Sequence, residues 1–294
     1  MLAFCSQMMG MTMTSDIERV INADDFGISL GVNQAILNGY QHGILTGASL
    51  MVNARYTPQA LQFLKKMPNL KVGVHLTLTS QRNHHPLLTH QEVPLIVGGD
   101  GQYRCEFLKL LWLSIVKKKE LKRQVKKEFQ AQIEKALADG ITIDHLDSHR
   151  HVHMIPALFS VTKALKQAYH IPHLRVINEN AYLTLKTTGQ WQHIFSSGMI
   201  KWGLLKFFRF LNKTRGDTYF YSILYTMRIF GKATRDIKIP KKYKRVEINI
   251  HPSVIKVDKA NYTESLDDYL LLHPNRQREY ETMLSPDLLK KIHF

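Results

Sequence analysis

A chain of 294 residues with 44% hydrophobic and 22% charged residues has the make-up of a globular protein and not of a disordered or fibrous one. No apolar run is long enough to span a bilayer, and Cys5 and Cys105 alone exclude a disulfide framework and fit a reducing compartment. Lys and Arg total 40 against 24 Asp and Glu, a net +16 that favours anionic partners such as nucleic acid or acidic lipid and says nothing about fold.

Residues 1–16 are rich in methionine (Met1, Met8, Met9, Met11, Met13) and lack a positive n-region, so they read as a disordered leader or an over-called start. Arg19-Val20-Ile21-Asn22-Ala23 reads as a first buried strand that ends in Asp24-Asp25-Phe26-Gly27. Two adjacent carboxylates repel unless something positive compensates them. In an extended backbone they also diverge, so they can hold different jobs on one site. A helix-capping turn accounts for the same four residues equally well. Ser29 is the expected cap of a helix over 32–40, which Gly43 ends. A second strand is expected over 45–52 and a helix over 57–67. The third strand, 71–78, alternates strongly and carries His75 near its end. Residues 80–101, with His84, His85 and His90, form a loop of the length typical of lids and substrate-binding segments. Residues 107–138 are helical in two parts; the lysine-dense second part, with Glu120, Glu128 and Glu134 interleaved, reads as a solvated face.

A strand over 141–146 feeds the run Asp147-Ser148-His149-Arg150-His151-Val152-His153. In an extended backbone Asp147, His149, His151 and His153 share one face; in a helix His149 and His153 are still neighbours. Either geometry suits a divalent metal held by nitrogen and oxygen, and a polar loop with backbone-bonded histidines is the competing reading. A helix over 157–169 follows, then a strand over 173–177 carrying Arg175. The stretch 201–235 is aromatic, leucine-rich and basic. As one or two amphipathic helices it could lie on a membrane surface or cover a greasy acceptor; two barrel helices with ordinary core faces explain it as well. A late strand over 245–250 delivers His251, and helices over 263–272 and 275–284 close the chain.

Strands and helices therefore alternate, and Asp24 and Asp25, His75, the 147–153 run and His251 all stand where strands end. In barrels of parallel strands the active site lies at that carboxyl face. Four strand ends bearing Asp or His are much harder to explain by capping and packing than any one of them.

The segments Val20-Ile21-Asn22-Ala23-Asp24-Asp25-Phe26-Gly27, Val72-Gly73-Val74-His75-Leu76-Thr77, Asp147-Ser148-His149-Arg150-His151-Val152-His153-Met154 and Ile250-His251-Pro252 resemble the YdjC-like carbohydrate deacetylase family, which includes chitooligosaccharide deacetylases and a hopanoid-biosynthesis-associated branch. The resemblance implies an α/β protein. Its expected form is an irregular (β/α) barrel related to the polysaccharide deacetylases, a single domain over 17–294 with a basic amphipathic segment around 200–236. It also implies one divalent metal and removal of acetyl from an N-acetylated sugar. Carried over residue by residue, it makes Asp25, His75 and His149 metal ligands, Asp24 the general base, and His251 the histidine that protonates the departing amine. Asp147, His151, His153 and Arg175 are left as substrate contacts or supports. The resemblance points to magnesium, whereas ligand softness accepts zinc, cobalt or manganese as well.

Two departures stand out. Arg150 replaces a histidine usual in that run, and 201–235 looks longer and greasier than a short sugar requires. The substrate expected is thus an N-acetylated oligosaccharide or glycolipid, met in the cytoplasm or at the inner face of an anionic membrane, with no specific nucleic acid and with a homodimer left open. Two rival readings remain. A metal-dependent phosphoester hydrolase suits the charge but requires a second metal and further carboxylates. A membrane-surface or interaction module would retain a catalytically altered barrel.

Overall fold

The computed structural model describes residues 17–79, 84–261 and 271–293. The leader over 1–16 and nearly all of the helix expected over 263–272 lie outside them. The strands are β1 (Glu18–Phe26), β2 (Gly47–Leu50), β3 (Lys71–Leu76), β4 (Ile143–Ser148), β5 (His173–Leu174), β6 (Thr218–Tyr221), β7 (Ile237–Lys238), β8 (Arg245–Ile250) and β9 (Ile292–His293). Seven of them form one parallel sheet in the order β5-β4-β3-β2-β1-β8-β6, and β7 pairs with β9 apart from it. Parallel sheets are covered on both faces, so their strands read as apolar runs. Val20, Ile21, Ala23 and Phe26 in β1 are buried accordingly, whereas β8 alternates buried Val246, Ile248 and Ile250 with the equally buried Arg245, Glu247 and Asn249.

The crossovers are helical: α1 (Leu30–His42), α2 (Thr57–Leu64), α3 (Phe107–Val116), α4 (Lys118–Ala138), α5 (Pro156–Ala168), α6 (Ala181–Thr188), α7 (Ser197–Leu211), α8 (Ile255–Asn261), α9 (Pro274–Leu284) and α10 (Asp287–Lys290). Ser29 caps α1, its side chain accepting from the Val32 amide, as its position before the apolar stripe predicts. Leu121, Val125, Phe129, Ile133 and Ala136 bury one stripe of α4 at helical spacing. Glu128 departs from the expected solvated face. It is buried, accepting the Leu87 and Leu88 amides and the Tyr103 hydroxyl, because the 84–101 loop folds down over it.

The sheet is a half-barrel and not a closed ring, with β5 and β6 as its edges. A side chain spans the gap between them. Asn178, just beyond β5, accepts from the Phe220 amide at 2.8 Å and donates to the Thr218 carbonyl at 2.6 Å, occupying the edge of β6 as another strand's backbone would. The stretch 201–235 also departs from expectation. Only its first part is the amphipathic α7; the alternating aromatic run Thr218–Tyr221 is fully buried as β6, where β-branched and aromatic side chains pack best. Among the described residues no helix is long and apolar enough to cross a membrane.

Candidate active site

Four strand ends meet at one spot. The decisive local feature is in β1, whose pairing with β2 shifts register between Ala23 and Phe26 while Asp25 takes a left-handed backbone (φ 67). A bulge re-aims side chains that a regular strand would send to opposite faces. Asp24 and Asp25 therefore both serve the same site, with separate partners.

Asp24 is the more tightly held. Arg175 grips it with two parallel bonds, Nη1 to Oδ2 at 2.9 Å and Nη2 to Oδ1 at 2.8 Å, while Asn22 and Asn249 each donate to one oxygen at 3.0 Å. Those four donors fill the acceptor positions of a carboxylate. Burial opposes the charge, but Arg175 and then His75 outweigh it and hold Asp24 far below the usual carboxylate range. Arg175 is buried, salt-bridges Asp147 at 2.5 Å, donates from Nε to Glu247 at 2.8 Å and lies over the Phe220 ring at 5.4 Å. It is thus one cation shared by three buried carboxylates.

Asp25, His75 and His149 form the second half. Each offers a ligand atom, and these atoms lie within 4.8 Å of one another. Asp25 Oδ1 stands 3.2 Å from His149 Nδ1 and 3.6 Å from His75 Nε2, and Asp25 Oδ2 accepts from Arg276 on α9 at 2.7 Å. Burial again opposes ionisation of Asp25, and Arg276 with His149 overcomes it. The other nitrogen of His75, Nδ1, meets Asp147 at 2.8 Å, and Asp147 also accepts from Ser49 at 2.8 Å. A carboxylate behind an imidazole fixes the ring so that its free nitrogen faces a metal. Burial disfavours the imidazolium of His75, yet Asp147 and Asp24 push its pKa up to about 9. Three clustered carboxylates thus draw a proton onto the ring, a place that asks for a positive charge. His149 turns Nδ1 toward Asp25, and its Nε2 is buried without a hydrogen-bond partner among the described residues. A carboxylate and two imidazoles whose ligand atoms lie this close together fit a divalent ion. A second grouping, Asp24 with His75 and Asp147, lies equally close but fits poorly, because Arg175, Asn22, Asn249 and Ser49 already occupy its oxygens.

The remaining expectations divide. His251 Nε2 lies 3.8 Å from Asp24 Oδ2, and its Nδ1 is buried and unpartnered among the described residues. Burial pushes its pKa down to about 4 against the pull of Asp24, so the ring rests neutral. The expected common face for Asp147, His149, His151 and His153 is not what forms. β4 ends at Ser148, and Arg150 and His151 are left-handed (φ 55 and 54) within a 3-10 turn. His149 alone of the three histidines is brought to Asp25. His153 is turned back, bonded to the Ser148 hydroxyl at 2.6 Å and the Arg175 carbonyl at 3.0 Å, and His151 packs edge-on to Phe220. Arg150 points outward to an ion pair with Glu106. His84 was expected only as a loop residue. It is fully buried with its ring 5.9 Å from that of His149, and burial lowers its pKa to about 3. Arg276 has no local sequence signal at all, since a surface-type helix beginning Pro-Asn-Arg gives no hint of the carboxylate it meets.

The model of the family described as YdjC-like protein matches residues 19–293. The chain belongs to the YdjC-like family. Two relatives, both named carbohydrate deacetylase, are 35% identical over 174 residues (Clostridium beijerinckii; 58% of this chain, 66% of the relative) and 38% identical over 154 residues (Halalkalibacterium halodurans; 52% and 61%). The matched stretch thus spans about three fifths to two thirds of those relatives' length. A solved structure from Enterococcus faecalis V583, assigned provisionally as a cellobiose-phosphate cleavage protein, superimposes with a TM-score of 0.61 over 94% of both chains. At 24% identity it shows the fold alone.

Proposed function

We propose that this YdjC-like chain is a metal-dependent hydrolase that removes the N-acetyl group from a sugar. The observation that carries the reading is the convergence of Asp25, His75 and His149 beside the Asp24–His251 pair at one mouth of the sheet. The relatives named carbohydrate deacetylase supply the substrate class.

An ion at Asp25, His75 and His149 would supply Lewis acidity, polarising an amide carbonyl and bringing the pKa of water toward ~7 as good zinc sites do. Two imidazoles and one carboxylate leave coordination positions open, and they suit zinc, cobalt or manganese better than all-oxygen magnesium sites. The chain's own residues handle the proton. The expected base, Asp24, has its oxygens filled by four donors and is held ionised. It therefore serves as the fixed charge of a pair in which the neutral His251 ring carries the proton. The imidazole takes a proton as water adds to the acetyl carbon, and Asp24 at 3.8 Å stabilises the imidazolium. The same ring then gives that proton to the sugar nitrogen as the carbon–nitrogen bond breaks, leaving acetate and a free amine. Arg175 keeps Asp24 in place and does not touch the reacting atoms.

The test is acetate release from N-acetylglucosamine oligomers by protein loaded with zinc, cobalt, manganese or magnesium. Release that chelator abolishes and one metal restores supports the reading. Release unaffected by exhaustive chelation, or none from any N-acetylated sugar, refutes it.

A further inference from the structure

α7 carries four of its nine apolar side chains on its outer side. Leu205 and Phe208 pack inward, whereas Ile200, Phe207, Phe210 and Leu211 face out, with Ile200 and Phe210 each 76% exposed. α3 likewise has two apolar sides: Leu110 and Leu113 are buried, while Leu108, Trp112, Ile115 and Val116 are exposed. The two helices meet where Phe107 stacks on Phe208 at 6.4 Å. Both also reach the His149–Met154 turn at the site, α3 through the Glu106–Arg150 ion pair at its start and α7 through the Asn212 amide on the Met154 carbonyl at 2.9 Å. Both helices therefore adjoin the turn that carries His149.

Beside Phe210 lies a hollow of about 400 Å³ lined by Lys206, Arg209, Lys213, Thr214 and Arg215. None of these four cations meets a carboxylate among the described residues, in a chain whose net charge is +16. An apolar helix face bordered by basic side chains, too short to cross a bilayer, is what lies in the lipid–water interface.

We propose that the outer faces of α3 and α7 dock on an anionic bilayer, with lipid phosphates in the Lys206–Arg209–Lys213–Arg215 hollow and Phe207 and Phe210 seated among the acyl chains. A second copy is disfavoured as occupant, because a two-fold contact would set these cations against themselves. Docking alone stands apart from the deacetylase reading. Only its consequence, that the mouth faces sugars held at the membrane, rests on it.

The experiment is flotation of the full chain with phosphatidylcholine vesicles, with and without phosphatidylglycerol. Binding should require phosphatidylglycerol. The pair Lys206→Gln/Arg209→Gln should weaken it by about 25-fold, at about fivefold per cation near the surface, and Phe207→Ser/Phe210→Ser by at least about tenfold, with thermal melts unchanged. Three results overturn the proposal: equal binding to neutral vesicles or none to either; complete displacement by inorganic phosphate; or a sedimenting dimer that the phenylalanine variant turns to monomer with vesicle affinity intact. Vesicle binding needs no turnover, so a protein that binds but releases no acetate sinks the deacetylase reading alone.

Discussion

Arg175 is the most exacting test of how the site is built. Its guanidinium serves Asp24, Asp147 and Glu247 at 2.5–2.9 Å in a place almost wholly shielded from water. Removing one partner of a buried ion pair costs about 3–5 kcal/mol, because the charge left behind is uncompensated. Arg175→Met abandons three carboxylates at once, so about 3–5 kcal/mol is a lower bound, against a total of about 5–15 kcal/mol for a typical domain. Arg175→Lys keeps the charge but loses the planar fork, and the lost charge-assisted bonds cost about 1.5–3 kcal/mol. Urea unfolding followed by circular dichroism measures both. The deficit of Arg175→Met should shrink from pH 7 to pH 5, since carboxylates without their cation take up protons readily in a buried place. An Arg175→Met protein within about 0.5 kcal/mol of the parent, the range of ordinary surface substitutions, would refute the claim that one cation holds the cluster together.

Other outcomes follow from the same geometry. His75→Ala and His149→Ala should each lose stoichiometric metal by equilibrium dialysis, whereas Asp24→Asn and His251→Ala keep the metal and lose turnover by at least about 100-fold, the usual worth of a proton-transfer group; metal retention by His75→Ala would sink the ligand set. Metal uptake should release close to one proton near pH 8, because His75 must shed the proton it holds below about 9; calorimetry in buffers of different ionisation enthalpy reads it. Asp24, Asp25 and Asp147 are held below their ordinary 3.8 when folded, so the unfolded chain binds more protons in acid. Their stabilisation is present above pH 3.8 and is lost below it, at up to about 4 kcal/mol per pH unit for three groups; a flat urea midpoint from pH 5 to 3 contradicts this. Gly73→Ala puts a Cβ 2.2 Å from the His145 ring, which Asp144 and Ser49 brace, and should cost about 1–3 kcal/mol by the same urea assay.

Much of the fold was legible because β1 is largely apolar before its Asp pair and β3 and β8 alternate apolar with other residues, each stopping at a polar group. Asp25, His75 and His149 were legible for the same reason, each standing at such an end. His151 and His153 misled because period-two reasoning holds only while the backbone stays extended, and the left-handed pair at Arg150 and His151 breaks it. The Asp24–Asp25 geometry hinged on a bulge that no spacing reveals. Glu128, His84 and Arg276 were hidden for a deeper reason: each is defined by a partner far along the chain. Asp24 shows the limit on roles. Its place was readable, but its four donors come from β1, β8 and the end of β5, and they decide what it can do.

Where β5 and β6 fail to pair, side chains close the wall and not a ladder: Asn178 on Thr218 and Phe220, the Tyr219 hydroxyl on the Asn180 amide, and Glu179 on the Ser222, Ile223 and Leu224 amides. A wall joined through side chains can be reshaped by replacing them with every strand pairing left intact, whereas a fully laddered ring is fixed by its backbone. Bore along this edge is therefore set by a few replaceable side chains and not by the pairing that holds the rest of the sheet.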